Sequence, residues 1–299
     1  MIIKRIIDAL KRRVDRYILI PLARRRFRKM NILSSEDSIK YIIEHQCSVS
    51  RFGDGEFDII QGRSEGYQNP NEKLALLLKH VLTSMDAPNH MVAIPLPLKD
   101  VSKIAVKVTK DFWGFFDLKH GKDVHSLLSS QRVYLDTQLS RFYYMYRNRA
   151  YSERILRLLR EIWKERDIVI IEGTQTRSGV GNDLYDNARS VKRILGPATN
   201  AIDKYDEMLD AICKYVDKNK LILLSYGPTA TILAYDLAKL GYWAIDLGHM
   251  DIEYEWYRNN DPKGGVVKGK YTNEALGGNI VEECTDEQYL NQIICDITR

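Results

Sequence analysis

The chain has 299 residues, of which 44% are hydrophobic and 28% are charged, and its formal net charge is +5. These values are typical of an ordinary soluble globular protein with one large domain or two modest ones. No apolar run reaches the roughly 18 residues needed to span a bilayer, and charged residues interrupt the only candidate core of a secretory signal. The four cysteines lie far apart without CxxC spacing, which argues against a zinc site or disulfide framework and favours a reducing, cytoplasmic compartment.

The positive charge is concentrated at the amino terminus. Residues 1–30 contain eleven Lys or Arg and two acidic residues, so the rest of the chain is mildly acidic and affinity for nucleic acid is not indicated. Apolar residues recur at a near-helical period from Ile2 to Val14, with basic residues between them, which predicts a basic amphipathic helix. Such a helix is typical of a peripheral element on an anionic membrane, here the cytoplasmic face. The alternative is a helix packed on the body of the protein or on a partner subunit.

The globular part of the chain is predicted to begin near residue 34. An acidic first turn and an apolar face predict a helix from Ser35 to His45, and a second helix is expected over 72–85. Short apolar runs predict strands over 47–52 and 91–95.

Residues 113–151 are rich in aromatic side chains. Aromatic planes suit sugar rings, so this segment is a candidate wall of an acceptor cleft, and Arg141, Arg147 and Arg149 could face phosphates there. The alternative is that the aromatic residues belong to the core and to interfaces, which is the more common use of such a set.

The most regular part of the chain alternates buried strands with helices. Continuous apolar runs predict strands over 168–172, 221–224 and 242–246, and each run is followed by a polar loop. Helices are predicted over 184–195, 230–240 and 287–297. The alternation is the pattern of βαβ units, which predicts an α/β fold with a mostly parallel sheet and flanking helices. Ligands bind outside the carboxyl ends of the strands in such sheets, so these loops are the candidate site.

An acidic motif follows the first predicted strand. Asp54 and Glu56 lie two residues apart, and in an extended or turning backbone their oxygens can converge on one hard cation. Gly53 lets a ligand approach the backbone closely. The alternative is a polar surface turn. Arg51, just upstream, is either a contact to a diphosphate or part of a structural ion pair.

Three polar loops follow the later strands. The first combines an arginine, two glycines and a predicted helix start, which forms either an anion site or a capping loop from Arg177, Ser178, Gly179, Gly181, Asn182 and Asp183. The second contains Gly227 and Thr229 and offers an oxyanion or ribose contact, or capping alone. The third contains His249, Asp251 and Glu253, which could ligate a metal or supply a general base. Together they suit a diphosphate held through a divalent cation, as in a nucleotide-sugar transferase.

These motifs together resemble the GT-D type glycosyltransferases, formerly a domain of unknown function found in bacterial glycan and adhesin-glycosylation clusters. The resemblance extends from about Ser34 to Tyr257 and rests on Arg51-Phe-Gly-Asp-Gly-Glu56, Glu172-Gly with Arg177-Ser-Gly-Val-Gly-Asn-Asp183, Gly227-Pro-Thr-Ala-Thr231, and Gly248-His-Met-Asp-Ile-Glu-Tyr-Glu-Trp256. It implies a Rossmann-like fold over 34–299 as one domain, a UDP-sugar donor (UDP-glucose in the family's known case) and a divalent metal, Mn²⁺ or Mg²⁺. It also identifies Asp54 and Glu56 with the metal and donor site.

The sequence therefore predicts a metal-dependent glycosyltransferase. We expect it to move a hexose from a UDP-sugar to a lipid-linked or protein-linked glycan acceptor in bacterial surface polysaccharide or glycoprotein biosynthesis. Two alternatives are a metal-dependent sugar-phosphate phosphoesterase and a non-catalytic nucleotide-sugar-binding subunit docked on the membrane by its amino-terminal helix.

Overall fold

A computed structural model describes residues 10–63 and 68–298, and within these ranges no helix is long and apolar enough to cross a membrane. The described strands are β1 (Asn31–Ile32), β2 (Ser48–Arg51), β3 (His90–Ile94), β4 (Val133–Asp136), β5 (Asp167–Gly173), β6 (Ser190–Gly196), β7 (Leu221–Ser225), β8 (Trp243–Asp246) and β9 (Ile293–Asp296). They form one parallel sheet in the order β1-β4-β3-β2-β8-β7-β5-β6-β9. The predicted α/β fold with a parallel sheet is confirmed.

Helices cover both faces of the sheet. They are α1 (Ile20–Arg24), α2 (Ser35–His45), α3 (Asp54–Ile60), α4 (Glu72–Thr83), α5 (Lys107–Ser126), α6 (Arg149–Trp163), α7 (Tyr205–Tyr215), α8 (Gly227–Lys239), α9 (Met250–Arg258) and α10 (Glu287–Gln292). Successive residues of a strand point to opposite faces, so Val169 and Ile171 of β5 join one hydrophobic cluster whereas Ile168 and Ile170 join the other. Helices α4, α5, α7 and α8 pack on the first face, and α2, α6 and α9 pack on the second.

One of the predicted helices is wrong and another is predicted too long. Residues 184–195 contain turns followed by strand β6, which pairs with β5 along its whole length from Asp167↔Ser190 to Gly173↔Gly196. The apolar spacing of this segment is compatible with a helix, but the ladder to β5 and burial of its last four residues favour the strand. The predicted helix over 287–297 ends at Gln292, because the β-branched residues that follow add β9 to the edge of the sheet beside β6.

The amino-terminal segment is helical over the described residues 10–27 and includes a π-helical turn at Asp15–Leu19. The part of the predicted amphipathic helix before Leu10 lies outside the described residues. One face of the segment packs on α5, where Ile20 sits close against Gly114. This contact confirms the alternative of a helix packed on the body of the protein for one face of the segment.

Candidate active site

A cavity of about 480 Å³ lies at the carboxyl edge of the sheet. Its walls include the last residues of three strands, Arg51 of β2, Ser225 of β7 and Asp246 of β8. This is the place at which open α/β sheets bind their ligands, and the volume is within the range of small-molecule sites. The fold therefore brings loops that are far apart in sequence to one pocket.

The acidic motif lines this cavity, but its local structure differs from the expected extended backbone. Helix α3 begins at Asp54, so Asp54 and Glu56 lie in its first turn. The motif thus takes the turning rather than the extended form of the expectation, and both carboxylates line one cavity; a shared cation stays a prediction. Glu56 folds back, and its Oε2 accepts a hydrogen bond of 2.7 Å from the Gly53 N–H. Asp54 has an exposed side chain that faces the cavity.

Both carboxyl groups have raised pKa values. Burial raises the pKa of Glu56 to about 7, although the Gly53 N–H bond opposes this rise. Enclosure by the cavity walls also raises the pKa of Asp54 above its ordinary value. A raised carboxyl pKa means that the protein compensates the negative charge poorly. A cation in the cavity would supply the missing compensation, so the two groups suit a cation ligand role.

Arg51 forms a structural ion pair at the end of β2. Its Nη1 lies 3.6 Å from Asp246 Oδ1, and its Nε donates to the backbone carbonyl of Thr137 at 3.2 Å. Gly248 is required beside it, because a Cβ at that position would lie 2.2 Å from Arg51 Nη1. The guanidinium lines the cavity while it is held in this way, so its direction is fixed before any ligand enters.

A second charged group in the cavity joins three distant parts of the chain. Glu274 Oε1 lies 2.6 Å from Arg141 Nη1 and 3.0 Å from His249 Nδ1, and all three residues line the cavity. Although burial raises the pKa of the Glu274 carboxyl, these two partners outweigh it and hold the pKa well below its ordinary range. With Nδ1 engaged by the carboxylate, Nε2 is the ring nitrogen left for a ligand.

The first glycine loop lies outside the cavity, and the anion site expected there is wrong. The N–H groups of Ser178 and Gly179 already donate to Glu172 at 2.7 Å and to Asp251 at 2.8 Å. Arg177 donates to the carbonyls of Gly269 and Glu282, so it ties down the segment that follows α9. These bonds leave the expected amides and guanidinium committed to the protein itself.

The remaining polar residues of that loop have structural partners. Asn182 donates to Asp251 and Glu255, and Asp183 pairs with Arg160 at 2.9 Å. The predicted helix that would have presented the Gly181 amide to a phosphate is replaced by turns and strand β6. The alternative of a capping loop is wrong as well, because turns and strand β6, rather than a helix, follow this loop; its polar groups instead bind other parts of the protein.

The carboxylates after β8 also face away from the cavity. Asp251 is buried and receives Lys270 Nζ at 2.6 Å, which makes it part of a closed polar cluster. Glu253 is fully buried, accepts the N–H groups of Tyr143 and Tyr144, and lies 3.2 Å from Arg141 Nε. We therefore correct their expected roles as base and donor ligand, because the protein already satisfies both groups; Glu253 acts on the cavity only through Arg141.

The second glycine loop does meet the cavity. Helix α8 begins at Gly227, which lines the cavity together with Pro228, and within the described residues no side chain caps this helix start. Thr229 lies outside the cavity wall and is fully buried, and its Oγ1 has no partner among the described residues. Thr231 bonds to the carbonyl of Arg51 and to Asp246, so it joins this helix to the acidic side of the site.

The aromatic segment divides between cavity and core. Trp113 and Tyr144 line the cavity, and most of the other aromatic residues of this segment are buried in the two hydrophobic clusters. Arg147 and Arg149 contact backbone carbonyls outside the cavity, so of the three arginines considered for phosphate only Arg141 reaches it. For most of these aromatic residues, the alternative that they belong to the core is therefore confirmed.

Several cavity residues were not predicted from the sequence. Tyr271, Asn273 and Glu274 come from the polar segment after α9, which has no hydrophobic period to predict its path. Tertiary bonds place this segment: Lys270 binds Asp251, and Arg177 holds the carbonyl of Gly269. A single glutamate such as Glu274 is common in a polar segment, so no sequence signal distinguishes it from the other acidic residues there.

The chemistry of the donor set decides what kind of metal site could form. In residues 10–63 and 68–298, no group of three or more His, Cys, Asp or Glu side chains is arranged to hold a metal ion. Asp54 and Glu56 remain as two oxygen donors in one cavity. Mg²⁺ and similar ions in phosphate sites use one or two carboxylates and take their other ligands from phosphates and water. The residues present therefore fit a metal shared with a bound diphosphate.

A parallel α/β sheet with acidic groups and an open helix start in one cavity at its carboxyl edge defines a class of protein, the α/β proteins that bind ligands at the carboxyl ends of their strands. Residues 49–275 match the family model described as Glycosyltransferase GT-D fold. Because this match covers most of the chain, the chain belongs to the GT-D family of glycosyltransferases.

Two curated proteins and two solved structures are similar to the chain. A probable glycosyl transferase, Gly, of Streptococcus gordonii is 34% identical over 272 residues, which are 91% of this chain and 39% of that protein. Glycosyltransferase GlyD of Streptococcus pneumoniae serotype 4 is 34% identical over 265 residues, 88% of this chain and 32% of that protein. The chain thus spans only between 32% and 39% of the length of these relatives.

The structural matches cover nearly the whole of the compared chains. A structure of domain of unknown function 1792, described as having a distinct glycosyltransferase fold, is 35% identical with a TM-score of 0.87 and covers 93% of this chain and 99% of that one. A new glycosyltransferase of the same domain family from Streptococcus sanguinis is 34% identical with a TM-score of 0.83, covering 89% and 99%. The described fold is therefore that of the family.

Proposed function

We propose that the chain is a metal-dependent glycosyltransferase that moves a hexose from a UDP-sugar to a glycan acceptor in surface polysaccharide or glycoprotein biosynthesis. The observation that carries the proposal is the composition of one cavity. The under-compensated carboxyls of Asp54 and Glu56 suit a cation, and the open start of α8 at Gly227 suits an anion. A nucleoside diphosphate held through a divalent metal needs both kinds of group.

The metal would be held by Asp54 and Glu56 together with diphosphate oxygens and water, and Mn²⁺ or Mg²⁺ suits such oxygen ligands. When bound, it supplies charge neutralisation for the departing UDP. The Glu56 carboxylate is kept in place by the Gly53 N–H, so its free oxygen points from a fixed position. The backbone N–H of Gly227 would bind the diphosphate at the helix start, where the neighbouring Pro228 has no N–H to offer.

His249 would act on the acceptor. In the transfer, an acceptor hydroxyl oxygen forms a bond to the sugar C1 while the bond from C1 to the diphosphate breaks. Glu274 holds His249 at Nδ1, so Nε2 is the nitrogen that would take the hydroxyl proton. Arg141 fixes Glu274 in turn, since it lies between that carboxylate and Glu253. Glu274, Arg141 and Glu253 therefore form a chain of contacts that positions His249 as the base.

We place the reaction in the cytoplasm, because four dispersed cysteines suit a reducing compartment. UDP-glucose is the first donor to test, because the resemblance to the family points to it. Cytoplasmic UDP-sugars and a lipid- or protein-linked glycan are then the partners of the cavity.

The direct test is a thermal-shift panel of UDP-sugars with and without Mn²⁺, followed by UDP release with glycan acceptors. A ligand at one hundred times its Kd adds about 2.7 kcal/mol to the free energy of unfolding, which a melting curve resolves. We expect a metal-dependent shift with one UDP-sugar and UDP release that requires an acceptor. Phosphate release without an acceptor would indicate a phosphoesterase, and donor binding without turnover on any acceptor would indicate a binding subunit.

A further inference from the structure

The amino-terminal helical segment has an apolar face that the fold leaves exposed. Leu10, Val14, Tyr17 and Ile18 are between 46% and 71% exposed. Leu10 and Val14 lie one α-helical turn apart, and Tyr17 and Ile18 follow in the π-helical turn at Asp15–Leu19. Four large apolar side chains side by side are a contiguous patch, in contrast to the single exposed apolar residues found on any protein surface.

Packing on the body of the protein fixes which way this face points. Ile20 and Ala23 are buried on the side that meets α5. Arg16 adds a bidentate contact to Asp111 of α5, with Nη2 2.7 Å from Oδ2. The helix is thus anchored along its other side, and burial against this chain does not account for the exposed apolar face.

The charges of this segment are mostly positive, with Asp15 as the acidic exception. Lys11, Arg12, Arg13, Arg25 and Arg28 are all exposed, and none of them forms an ion pair within residues 10–63 and 68–298. An apolar helical face flanked by unpaired cations suits an anionic lipid surface, which accepts apolar side chains at the acyl boundary and cations at the headgroups. An ordinary protein partner would need a matched acidic rim instead.

The packed side of the same segment meets a helix that also borders the cavity. Helix α5 carries Asp111 and Gly114 toward the amino-terminal helix, and it also carries Val108 and Phe112, which line the cavity and are 75% and 44% exposed. One helix therefore joins the packed side of the amino-terminal segment to an apolar rim of the cavity. Val108 and Phe112 add two exposed apolar side chains on the helix next to that segment.

We propose that this face, the set Leu10, Val14, Tyr17 and Ile18, docks the protein on an anionic membrane and places the cavity mouth at the lipid surface. The acceptor is then a lipid-linked glycan, whose lipid stays in the membrane while its sugar enters beside Phe112. The acceptor class rests on the proposed glycosyltransferase function, whereas the docking itself does not depend on it.

The test is co-sedimentation of the full chain with vesicles of phosphatidylcholine alone or mixed with phosphatidylglycerol. We expect binding to the anionic vesicles and more than about tenfold weaker binding for the double variant Tyr17→Glu/Ile18→Glu, because two apolar side chains leave the acyl boundary. The matched control is Leu76→Glu/Met85→Glu, which changes two apolar residues of similar exposure elsewhere, 68% and 77%. This control should bind as the unchanged chain does.

Equal binding by the unchanged chain and the Tyr17→Glu/Ile18→Glu variant would overturn the docking proposal, as would failure to bind anionic vesicles. A dimer that dissociates in this variant would assign the face to a second copy instead. If the variant melts early, Arg12→Glu/Arg13→Glu replaces it, since both side chains are exposed and should also weaken binding.

The acceptor class is read separately, as transfer to a lipid-linked and to a water-soluble glycan. We expect the Tyr17→Glu/Ile18→Glu variant to lose transfer to the former at least tenfold and to keep transfer to the latter. Equal loss on both would overturn the acceptor class. If the unchanged chain does not bind any UDP-sugar, the proposed function fails, whereas the result with vesicles still stands.

Discussion

Two sets of carboxylates lie at the same edge of the sheet and have opposite surroundings. Asp251 and Glu253 are buried and receive N–H groups, a lysine or an arginine from the protein itself. Asp54 and Glu56 line the cavity, and burial raises their pKa values as it raises that of Glu253, but neither forms an ion pair within residues 10–63 and 68–298. An acidic residue at a strand end is thus a ligand candidate only where its own protein leaves it unsatisfied.

The largest effect that we expect comes from breaking the satisfied set. Asp251→Ala leaves Lys270 buried without its closest carboxylate, at a site where both side chains are at most 5% exposed. Breaking one partner of a buried pair costs about 3–5 kcal/mol of unfolding free energy, and we expect the lower end because Glu255 Oε1 still lies 3.2 Å from Lys270 Nζ. Chemical denaturation measures this loss. Asp251→Leu/Lys270→Met should recover part of it, since the stranded charge is gone.

If Asp251→Ala instead kept the melting temperature of the unchanged chain and lost UDP-sugar binding, Asp251 would be a ligand of the cavity like Asp54 and Glu56. The contrast between the two sets of carboxylates would then fail.

The next effect is on turnover. Glu56→Gln removes a charge from the cavity with little change in shape, and we expect at least about a hundredfold loss of UDP release, equivalent to about 2.7 kcal/mol. Its melting temperature should stay the same or rise, because a poorly compensated charge is removed. Asp58→Asn is the matched control: it lies on the same helix, outside the cavity wall, and pairs with Arg63.

A drop in turnover of the same size in Asp58→Asn would mean that α3 matters for its structure rather than for the Glu56 carboxylate.

A smaller effect is expected at the first glycine loop. Arg177→Met removes two charge-assisted bonds to the carbonyls of Gly269 and Glu282, each worth about 1.5–3 kcal/mol when buried. Part of that loss is offset because the freed carbonyls can reach water. We expect faster proteolysis within 261–285 and nearly unchanged metal-dependent UDP affinity. Lost affinity with unchanged proteolysis would return Arg177 to the donor site.

The smallest effect is a pH dependence of stability. Because the pKa of Glu56 is raised to about 7 in the folded chain, the folded state binds more protons than the unfolded state between the ordinary carboxyl pKa and pH 7. The free energy of unfolding therefore falls as pH rises through this window. Glu56→Gln should lack this fall. Parallel curves for the two proteins would contradict the raised pKa.

The sequence predicts the sheet well where a strand is buried on both faces. The apolar runs at β5, β7 and β8 are continuous, and few other structures allow such runs in a short segment bounded by polar loops. Strand β6 is half exposed and carries Arg193, which is buried only because it meets Glu172 on β5 at 2.5 Å. That pairing is tertiary, so the local pattern could not predict it.

The sequence predicts the part of the site that the acidic motif and the start of α8 form. It does not predict the wall that Tyr271, Asn273 and Glu274 form. Asp54, Glu56 and Gly227 lie directly after predicted strands, and the cavity forms there. Glu274 reaches the cavity because Lys270 and Arg177 hold its segment down, and those bonds join residues up to 105 positions apart. Contacts over such separations leave no period or spacing in the sequence.

Calorimetric titration of UDP with and without Mn²⁺ tests the central claim most directly, using the unchanged chain, Glu56→Gln and Asp58→Asn. We predict that the unchanged chain and Asp58→Asn bind UDP only with Mn²⁺, and that Glu56→Gln binds at least about tenfold more weakly, a difference of about 1.4 kcal/mol. Metal-dependent UDP binding of equal strength in Glu56→Gln and the unchanged chain would contradict the account.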